Sequence, residues 1–204
     1  MGNDHSRHAT KRLMDIIGSF IGIVFFLPFL PFVVFIIQLD SPGPAIIRIK
    51  RVSQGKIFGA YKFRTMAKDA HLLRESLASF NERRDGPFFK IKNDPRVTKE
   101  GRWLRKFHVD EIPQLLNVLR DELSLVGPRP HEPQEVAHYP GEYKHLILSK
   151  GGLTGLSQVS GASNLPFLKE LEFDRYYLKN QSLLLDLKII AKTFYLVVFK
   201  HEGV

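Results

Sequence analysis

Residues 16–37 read IIGSFIGIVFFLPFLPFVVFII, a stretch without a charged side chain that decides the fold. A straight helix of this length would be about 33 Å long, which is enough to cross the hydrocarbon core of a bilayer. A buried helix of a soluble domain is usually shorter or carries a polar stripe. A cleaved signal peptide is the other alternative, but a turn sequence, Ser41-Pro42-Gly43-Pro44, follows the run instead of a small-residue cleavage site. The sequence therefore predicts an uncleaved membrane segment.

Two prolines, Pro28 and Pro31, interrupt this segment near its middle. Pro28 has no N–H for the carbonyl of Val24, and its ring crowds that carbonyl. We therefore expect the helix to break or kink near Leu27 and the prolines, with one leg ending there and the other continuing to about Leu39.

The charged residues that flank the segment are basic on both sides. Lys11 and Arg12 precede it, and seven Lys and Arg side chains without any acidic residue lie between Ser41 and Lys68. Basic flanks favour the cytoplasmic side of a membrane. We therefore predict a re-entrant helix over residues 11–40 whose two ends lie on the same side. A kinked helix that spans the membrane is the alternative.

The composition of the 204-residue chain excludes several classes of protein. With 44% hydrophobic residues it is neither disordered nor fibrous, and a mean hydropathy of −0.13 excludes a polytopic membrane protein. The absence of cysteine excludes a disulfide scaffold, a thiol nucleophile and a cysteine-ligated metal. A net charge of +9 indicates a polyanionic partner: nucleic acid, anionic lipid or a phosphorylated small molecule.

The remaining residues predict an α+β domain that is mostly helical with a small β-sheet. Residues 1–10 are expected to be a flexible tail, and residues 41–204 a catalytic domain at the membrane surface. Alternating side chains predict strands at 46–49 and 57–65, and a shorter strand at 88–92. Helical spacing and capping residues predict helices over 66–80, from Thr98 through Phe107, and from Asp110 to about Leu119.

Residues 183–199 form a further helical stretch that is apolar over most of its circumference, with Lys188 and Lys192 one turn apart. A core helix is one interpretation. An amphipathic helix that lies in the membrane interface, with its lysines toward the headgroups, is the other.

The adjacent carboxylates Asp110 and Glu111 are the densest chemical signal. A capped helix with an acidic first turn explains them structurally, with Asp110 as the N-cap. The functional alternative is a carboxylate pair whose ionised form is favoured by the helix end, as suits a nucleophile or a magnesium ligand. Arginines flank the pair in the sequence, and Arg129 is held between Pro128 and Pro130, which suits phosphate binding. His108 could shuttle protons, and we expect most of the histidines to lie at the surface.

The motifs collected so far resemble those of one family, the bacterial sugar transferases, or monotopic polyprenyl-phosphate phosphoglycosyl transferases. The resemblance covers about residues 11–204 in one order and spacing. The matching motifs are Lys11-Arg12-Leu13-Met14-Asp15, the proline-broken run, Ser41-Pro42-Gly43-Pro44, Tyr61-Lys62-Phe63-Arg64-Thr65-Met66, Asn93-Asp94-Pro95-Arg96-Val97-Thr98, Gly101-Arg102-Trp103-Leu104-Arg105-Lys106, Asp110-Glu111-Ile112-Pro113-Gln114-Leu115, Leu125-Val126-Gly127-Pro128-Arg129-Pro130, Gly152-Leu153-Thr154-Gly155-Leu156-Ser157-Gln158-Val159 and the stretch from Tyr177 to Lys188.

The resemblance implies transfer of a sugar-1-phosphate from a UDP-sugar to undecaprenyl phosphate, with release of UMP. It assigns the nucleophile to Asp110, through a covalent phosphosugar intermediate, and the required Mg²⁺ to Asp110 and Glu111. It also implies a re-entrant helix at the cytoplasmic face of the bacterial inner membrane. The family's phosphate-binding basic residues map onto Lys62, Arg105 and Arg129, to which we add Arg64 as a substrate-binding candidate.

Two departures from the family pattern stand out. His108-Val109 replaces the usual Ser-Leu before the carboxylate pair, and Ala162 replaces a common arginine, so the transferred sugar is not specified. The expected partners are the UDP-sugar, undecaprenyl phosphate and inner-membrane lipid, with homo-oligomerisation left open and nucleic acid not expected. The alternatives are a membrane-tethered nucleic-acid-binding protein and a scaffold without catalysis.

Overall fold

The computed structural model describes residues 2–161 and 164–200, with backbone only for residues 2–6. The prediction about Ala162 therefore lies outside the described residues. Within them, the chain combines helices with two small β-sheets, which confirms the predicted α+β class.

The membrane segment is a broken helix. Helix α1 runs over Gly2–Phe26, a single 3₁₀ turn over Leu27–Phe29 follows, and α2 runs over Leu30–Asp40. The break thus lies at Leu27 and Pro28, as predicted, because the imino ring cannot continue the α-helical hydrogen bonding. Pro31 lies in the first turn of α2, where its missing N–H is tolerated. Helix α1 also includes residues 2–10, for which we expected a flexible tail.

A β-hairpin follows the membrane segment. Strands β1 (Ile46–Ser53) and β2 (Lys56–Phe63) pair antiparallel, with Ile46 opposite Phe63. Gln54 and Gly55 both have positive φ, which a two-residue hairpin turn requires. The two predicted strands are confirmed. A second sheet pairs β3 (Ser124–Val126) in parallel with β4 (Gly152–Thr154).

Two predicted elements between residues 66 and 92 were wrong. The segment expected to be one amphipathic helix forms only short 3₁₀ turns, Ala70–Leu73 and Ala78–Phe80, and Asp69 before them has a left-handed backbone. Residues 88–92 form no strand. Their backbone bonds instead to the loop around Asn81, whose side chain accepts from Lys90 N and donates to Phe88 O. A side-chain partner thus replaces the neighbouring strand that a ladder would need.

Most of the remaining helices are short. Helix α3 (Lys99–Lys106) begins at Thr98, whose hydroxyl accepts the N–H of Gly101, as the predicted cap should. The others are α4 (Leu115–Leu119), α5 (Pro133–Val136), α6 (Leu156–Ser160), α7 (Phe167–Lys179), α8 (Leu183–Tyr195) with a π-helical turn over Leu196–Lys200, and a 3₁₀ stretch over Gly141–Leu148.

The prediction that Asp110 caps an α-helix was wrong. Residues Val109–Gln114 form a 3₁₀ helix, and His108 precedes it in a left-handed conformation. The stretch thus begins at Val109, one residue earlier than predicted, and Pro113 within it has no N–H with which to reach the Val109 carbonyl in an α-helical bond. The α-helix starts only at Leu115.

The domain packs against the broken helix along most of its length. Gly18 and Gly22 lie against the side chains of Leu125 and Leu115, and the ring of Phe26 lies 5.9 Å from that of Phe63. Beyond the break, α2 buries Val33 and Ile37 in a cluster with Ala45, Phe63 and Leu104. The outward side chains stay exposed, among them Phe20, Ile21, Phe25, Phe32, Phe35 and Leu39. By length and composition, the helix over residues 7–40 could cross a membrane.

Replacing Gly101 with alanine is expected to destabilise the protein. A Cβ at this position would lie 2.1 Å from the carbonyl oxygen of Thr65, which is backbone and cannot rotate away. Helix α3 must therefore shift from the end of β2, at a cost of about 1–3 kcal/mol. Urea unfolding in detergent micelles measures the loss. Gly141→Ala is the matched control, because no atom lies within 4 Å of a Cβ there, and an equal loss in both variants would contradict the expectation.

Candidate active site

The six residues that the sequence analysis selected as a site line one cavity. Its volume is about 740 Å³, and it opens beside the loop Pro42–Pro44 at the end of α2. The selected residues are Lys62, Arg64, Arg105, Asp110, Glu111 and Arg129. They come from β2 and the residue after it, α3, the 3₁₀ helix over Val109–Gln114 and the loop after β3, so the fold brings together residues that are far apart in the sequence.

Lys62 forms ion pairs with both Asp110 and Glu111. Its ammonium lies 2.6 Å from Glu111 Oε1 and 3.6 Å from Asp110 Oδ2. The strand carrying Lys62 packs against the 3₁₀ helix that carries both acids, which explains how residues 49 positions apart meet. The carboxyl group of Asp110 is nearly buried, whereas that of Glu111 is partly exposed.

The pKa values of the two acids shift in opposite directions. Burial raises the pKa of Asp110, and the nearby Lys62 opposes this effect without cancelling it. Burial would also raise the pKa of Glu111, but Lys62 and Arg129 outweigh it and lower that pKa to about 2. Glu111 is therefore ionised at neutral pH, and additional positive charge beside Asp110 would favour the ionised form of its carboxyl group as well.

Arg105 and Arg129 supply fixed positive charge on two sides of the acids. Arg105, in the last turn of α3, donates from Nε to Thr65 Oγ1 over 2.9 Å. Arg129 donates its backbone N–H to Asp174 over 3.2 Å, and its Nε lies 3.9 Å from Glu170 Oε1. Both guanidinium groups line the cavity, where they can bind phosphate oxygens.

Arg64 lies at the cavity wall, but its guanidinium is engaged elsewhere. It donates to the carbonyls of Ile37, Ser41 and Pro42, where α2 ends and the following loop begins. These contacts supply donors to two loop carbonyls just after α2 and a second donor to the Ile37 carbonyl, which already accepts the N–H of Ser41. Arg64 thus connects the end of the membrane segment to the cavity, and its role in substrate binding stays a prediction.

A buried polar cluster behind Arg129 escaped the sequence analysis. His131 is only 2% exposed, bonds through Nδ1 to the hydroxyl of Tyr139, and places Nε2 3.2 Å from Glu170. We expected most of the histidines to lie at the surface, but His131 is buried. Glu170 and Asp174 stand four residues apart on α7, and that spacing on an otherwise apolar helix face was the available signal.

Replacing Asp174 with asparagine is expected to flatten the pH dependence of stability. Burial, which outweighs the hydrogen bond from Ser157, raises the pKa of Asp174 from 3.8 to about 8. The folded protein therefore keeps a proton that the unfolded chain loses. The stability that this group contributes is complete below its unfolded pKa and falls as the pH rises toward 8, by up to about 1.4 kcal/mol per pH unit.

Urea unfolding in micelles between about pH 5 and pH 8 measures this slope. The wild type should lose more stability over the interval than Asp174→Asn. Glu172→Gln, an exposed change on the same helix, should leave the wild-type slope intact. Parallel slopes for the wild type and Asp174→Asn would show that Asp174 is ionised in the folded protein.

Comparison with protein-family models matches residues 6–200 to the family described as bacterial sugar transferase. The chain belongs to this family. An uncharacterized sugar transferase of Haemophilus influenzae is 41% identical over 202 residues, which are 97% of the chain and 42% of that relative. The undecaprenyl-phosphate galactose phosphotransferase of Salmonella typhimurium is 39% identical over 197 residues, 95% of the chain and 41% of that relative.

A shorter relative is the exopolysaccharide production protein ExoY of Rhizobium meliloti, 34% identical over 187 residues, or 90% of the chain and 83% of the relative. This sugar-transferase chain thus spans less than half the length of the first two relatives and most of the third. The comparisons confirm the family resemblance that its motifs predicted.

Proposed function

We propose that the protein transfers a sugar-1-phosphate from a UDP-sugar to undecaprenyl phosphate and releases UMP. This reaction would be the first membrane step in the synthesis of an extracellular polysaccharide or a related glycoconjugate. The observation that carries the proposal is the convergence of Asp110, Glu111, Lys62, Arg105 and Arg129 in one cavity beside the end of the membrane segment. The printed names of the relatives, which include a phosphotransferase acting with undecaprenyl phosphate, agree with it.

The first displacement starts from Asp110. A carboxylate oxygen of Asp110 attacks the phosphorus that carries the sugar, the bond from this phosphorus to the bridging oxygen breaks, and UMP leaves with the electron pair. Lys62 positions both acids, and Arg105 and Arg129 stabilise the charge that develops on the transferred phosphoryl group. The product is an Asp110-linked phosphosugar.

The second displacement returns the enzyme to its starting state. A phosphate oxygen of undecaprenyl phosphate attacks the same phosphorus, the bond to Asp110 breaks, and the carboxylate is regenerated. The lipid would enter past the loop Pro42–Pro44, which follows the membrane segment and borders the cavity. Because the two substrates react in separate steps at one carboxylate, ping-pong kinetics are expected.

The carboxylate pair suits magnesium. Among the described residues, no group of three or more histidine, aspartate or glutamate side chains forms a metal cage. Magnesium is usually held by one or two carboxylates, with water and substrate phosphates completing the shell. Asp110 and the ionised Glu111 are such a pair and would hold the ion. When bound, it neutralises the diphosphate and stabilises the leaving UMP.

The contacts of the broken helix support its proposed re-entrant placement, and the basic flanks of the segment support the cytoplasmic face. A spanning helix would carry its ends about 30 Å apart, on opposite sides of the bilayer. Here Arg12 donates to the carbonyls of Val118 and Leu119, and α2 ends against Arg64 of the same domain. A polar domain that contacts both ends of the segment and Phe26, the last residue before the break, fits beside a helix that returns to its side of entry.

Helix α8 carries an exposed apolar surface, in addition to that of the broken helix. We also propose that this surface contacts lipid. The helix buries Asp186 and Ile189 against the domain. Leu184, Leu187 and Phe194 are at least half exposed. A face of this kind, on a helix joined to α1 by the ion pair between Lys11 and Asp186, suits the membrane interface better than a core position.

Accessibility of introduced cysteines tests the topology, because the chain contains none of its own. His8→Cys and Lys56→Cys place an exposed thiol before and after the membrane segment. A re-entrant helix predicts that a membrane-impermeant maleimide labels neither thiol in intact cells and both in inverted membrane vesicles. Labelling of only one of them in intact cells would establish a spanning helix.

The reaction is tested by incubating the membrane-extracted protein with undecaprenyl phosphate, Mg²⁺ and a panel of UDP-sugars. UMP release that requires both the lipid and one of the sugars supports the proposal. A protein that releases no UMP but binds nucleic acid with steep salt dependence would instead be the basic nucleic-acid-binding alternative. A protein that does neither would be a scaffold.

A further inference from the structure

A chain of buried polar side chains lies behind Arg129, and the proposed reaction uses only the arginine. The Tyr139 hydroxyl bonds to His131 Nδ1, and His131 Nε2 lies 3.2 Å from Glu170 Oε1. That carboxylate in turn lies 3.9 Å from Arg129 Nε. His131 is 2% exposed and Glu170 is 4% exposed. Burying a charged carboxylate is costly unless it is paired, so its position beside a phosphate-binding arginine indicates a role there.

Aromatic rings fix the imidazole of His131. The ring of Phe88 lies 5.0 Å from it and that of Tyr139 lies 5.7 Å from it, both measured between centroids. Phe167 completes this packing, since its ring lies 5.2 Å from that of Phe88 and 5.8 Å from that of Tyr139. Hydrogen bonds in such a packed setting are strengthened by the low local dielectric. The imidazole is therefore held in one orientation, with Nε2 directed at Glu170.

The proton positions along this chain of side chains follow from its two acidic members. Burial raises the pKa of Tyr139, so its hydroxyl keeps a proton that it can donate to His131 Nδ1. Burial would also raise the pKa of Glu170, but His131 and Arg129 outweigh that effect and lower it. An ionised carboxylate can only accept hydrogen bonds, so His131 donates to it from Nε2. Glu170 thus presents a fixed negative charge to Arg129.

The direction of its guanidinium is the freedom that Arg129 retains. Its backbone is held between Pro128 and Pro130 and by the hydrogen bond to Asp174. Among the described residues, Glu170 is the only acidic side chain within 4 Å of this guanidinium, which approaches it through Nε. No hydrogen bond within residues 2–161 and 164–200 uses the two terminal amino groups of Arg129. Both are therefore left for phosphate oxygens.

A second carboxylate competes for Arg129 on the substrate side. Glu111 and Arg129 line the same small recess, together with Lys62. Opposite charges attract strongly in a partly buried site, so a guanidinium released from Glu170 would turn toward Glu111. There it would occupy the space that a substrate phosphate needs. The charge of Glu170 offsets this attraction.

We infer that Glu170, oriented by His131 and Tyr139, is a positioning residue that keeps the Arg129 guanidinium directed at the transferred phosphoryl group instead of Glu111. The inference rests on the proposed function and adds a residue to it. Stabilisation of developing charge by an arginine depends on its alignment, and a misplacement of about 1 Å can lower a rate by about 10²-fold.

The first displacement measures this role when the lipid is withheld. Rapid mixing of the wild type with its UDP-sugar and Mg²⁺ should release a burst of one UMP per active enzyme. The amplitude of the burst counts the correctly folded molecules, and its rate reports the displacement itself. Glu170→Gln should keep the amplitude and lower the rate by about 10- to 100-fold. Glu172→Gln, an exposed change on the same helix, should keep both.

Two further comparisons show whether Glu170 acts through its neighbours. In the Arg129→Lys background, Glu170→Gln should lower the burst rate by less than about 3-fold, since the guanidinium that it would position is gone. His131→Gln, whose amide can still donate to Glu170, should keep a rate near that of the wild type. His131→Leu, which cannot donate, should lose rate as Glu170→Gln does.

Three results would overturn the inference alone. A wild-type burst rate in Glu170→Gln would show that Arg129 needs no such partner. A reduced amplitude at the wild-type rate would make Glu170 a structural residue only. Equal rate losses from Glu170→Gln with arginine or lysine at position 129 would show that it acts by another route. A wild type without any burst would instead refute the covalent intermediate of the proposed function, and the inference with it.

Discussion

Replacing Asp110 with asparagine is expected to reduce UMP release by about 10⁴-fold or more, because the amide cannot form the covalent intermediate. The change nearly preserves the shape of the side chain. It removes a negative charge 3.6 Å from Lys62, but this ammonium keeps its closer partner, Glu111, at 2.6 Å. The variant should therefore fold and stay in the membrane, so the loss would reflect chemistry and not stability.

Mass spectrometry of the trapped enzyme supplies the direct evidence. When the wild type is incubated with its UDP-sugar and no lipid, a phosphosugar should accumulate on the peptide containing Asp110. Asp69→Asn is the matched control, because Asp69 also lines the cavity but pairs with none of the site residues. It should retain most of the activity. Substantial UMP release by Asp110→Asn, with no modified peptide from the wild type, would assign the nucleophile elsewhere.

Breaking the ion pair between Lys11 and Asp186 is expected to cause the largest loss of stability. Lys11 Nζ lies 2.7 Å from Asp186 Oδ2, and the Asp186 side chain is 1% exposed. The same network includes the Tyr177 hydroxyl, which donates to Asp186, and the carbonyl of Val126, which accepts from Lys11. Removing one charge leaves the other buried without a partner, which lowers the free energy of unfolding by about 3–5 kcal/mol.

Chemical unfolding in micelles of Lys11→Met, Asp186→Leu and the double variant tests this expectation. The double variant should be much more stable than the sum of the two single losses implies, since it leaves no uncompensated buried charge. Glu172→Gln is the control, because Lys169 and Glu172 are also 2.7 Å apart but about half exposed. Its loss should stay below about 1 kcal/mol. Additive losses in the double variant would mean that Lys11 and Asp186 stabilise the protein independently.

Local chemistry made part of this fold predictable. The break at Pro28, the hairpin around Gln54 and Gly55 and the Thr98 cap of α3 each depend on a few neighbouring residues. The predicted helix over 66–80 and the predicted strand over 88–92 were wrong because a left-handed residue or a side chain diverted the backbone. Asn81 provides the clearest case, because its amide bonds the segment that alternation alone would make a strand.

The candidate site was likewise predictable only in part. The residues of the site could be predicted from the sequence, because each belongs to a short motif. These motifs lie around Lys62, Arg105, Asp110 and Arg129. The sequence did not predict that these residues line one cavity, because this depends on how β2, α3 and the loop after β3 pack together. The partners of Arg129, which are Glu170 and Asp174, stand more than 40 positions away, and their spacing on α7 does not indicate which residue they contact.

The sequence by itself determined the uncharged run with its proline break, the basic flanks, the α+β class and the carboxylate pair, because backbone geometry and side-chain polarity act over a few residues. The tertiary structure alone decided that Arg64 meets the end of α2, that Lys11 meets Asp186, and that His131 is buried. Each of these facts depends on which distant surfaces pack together, and that is set by the summed burial of many side chains and not by any short pattern.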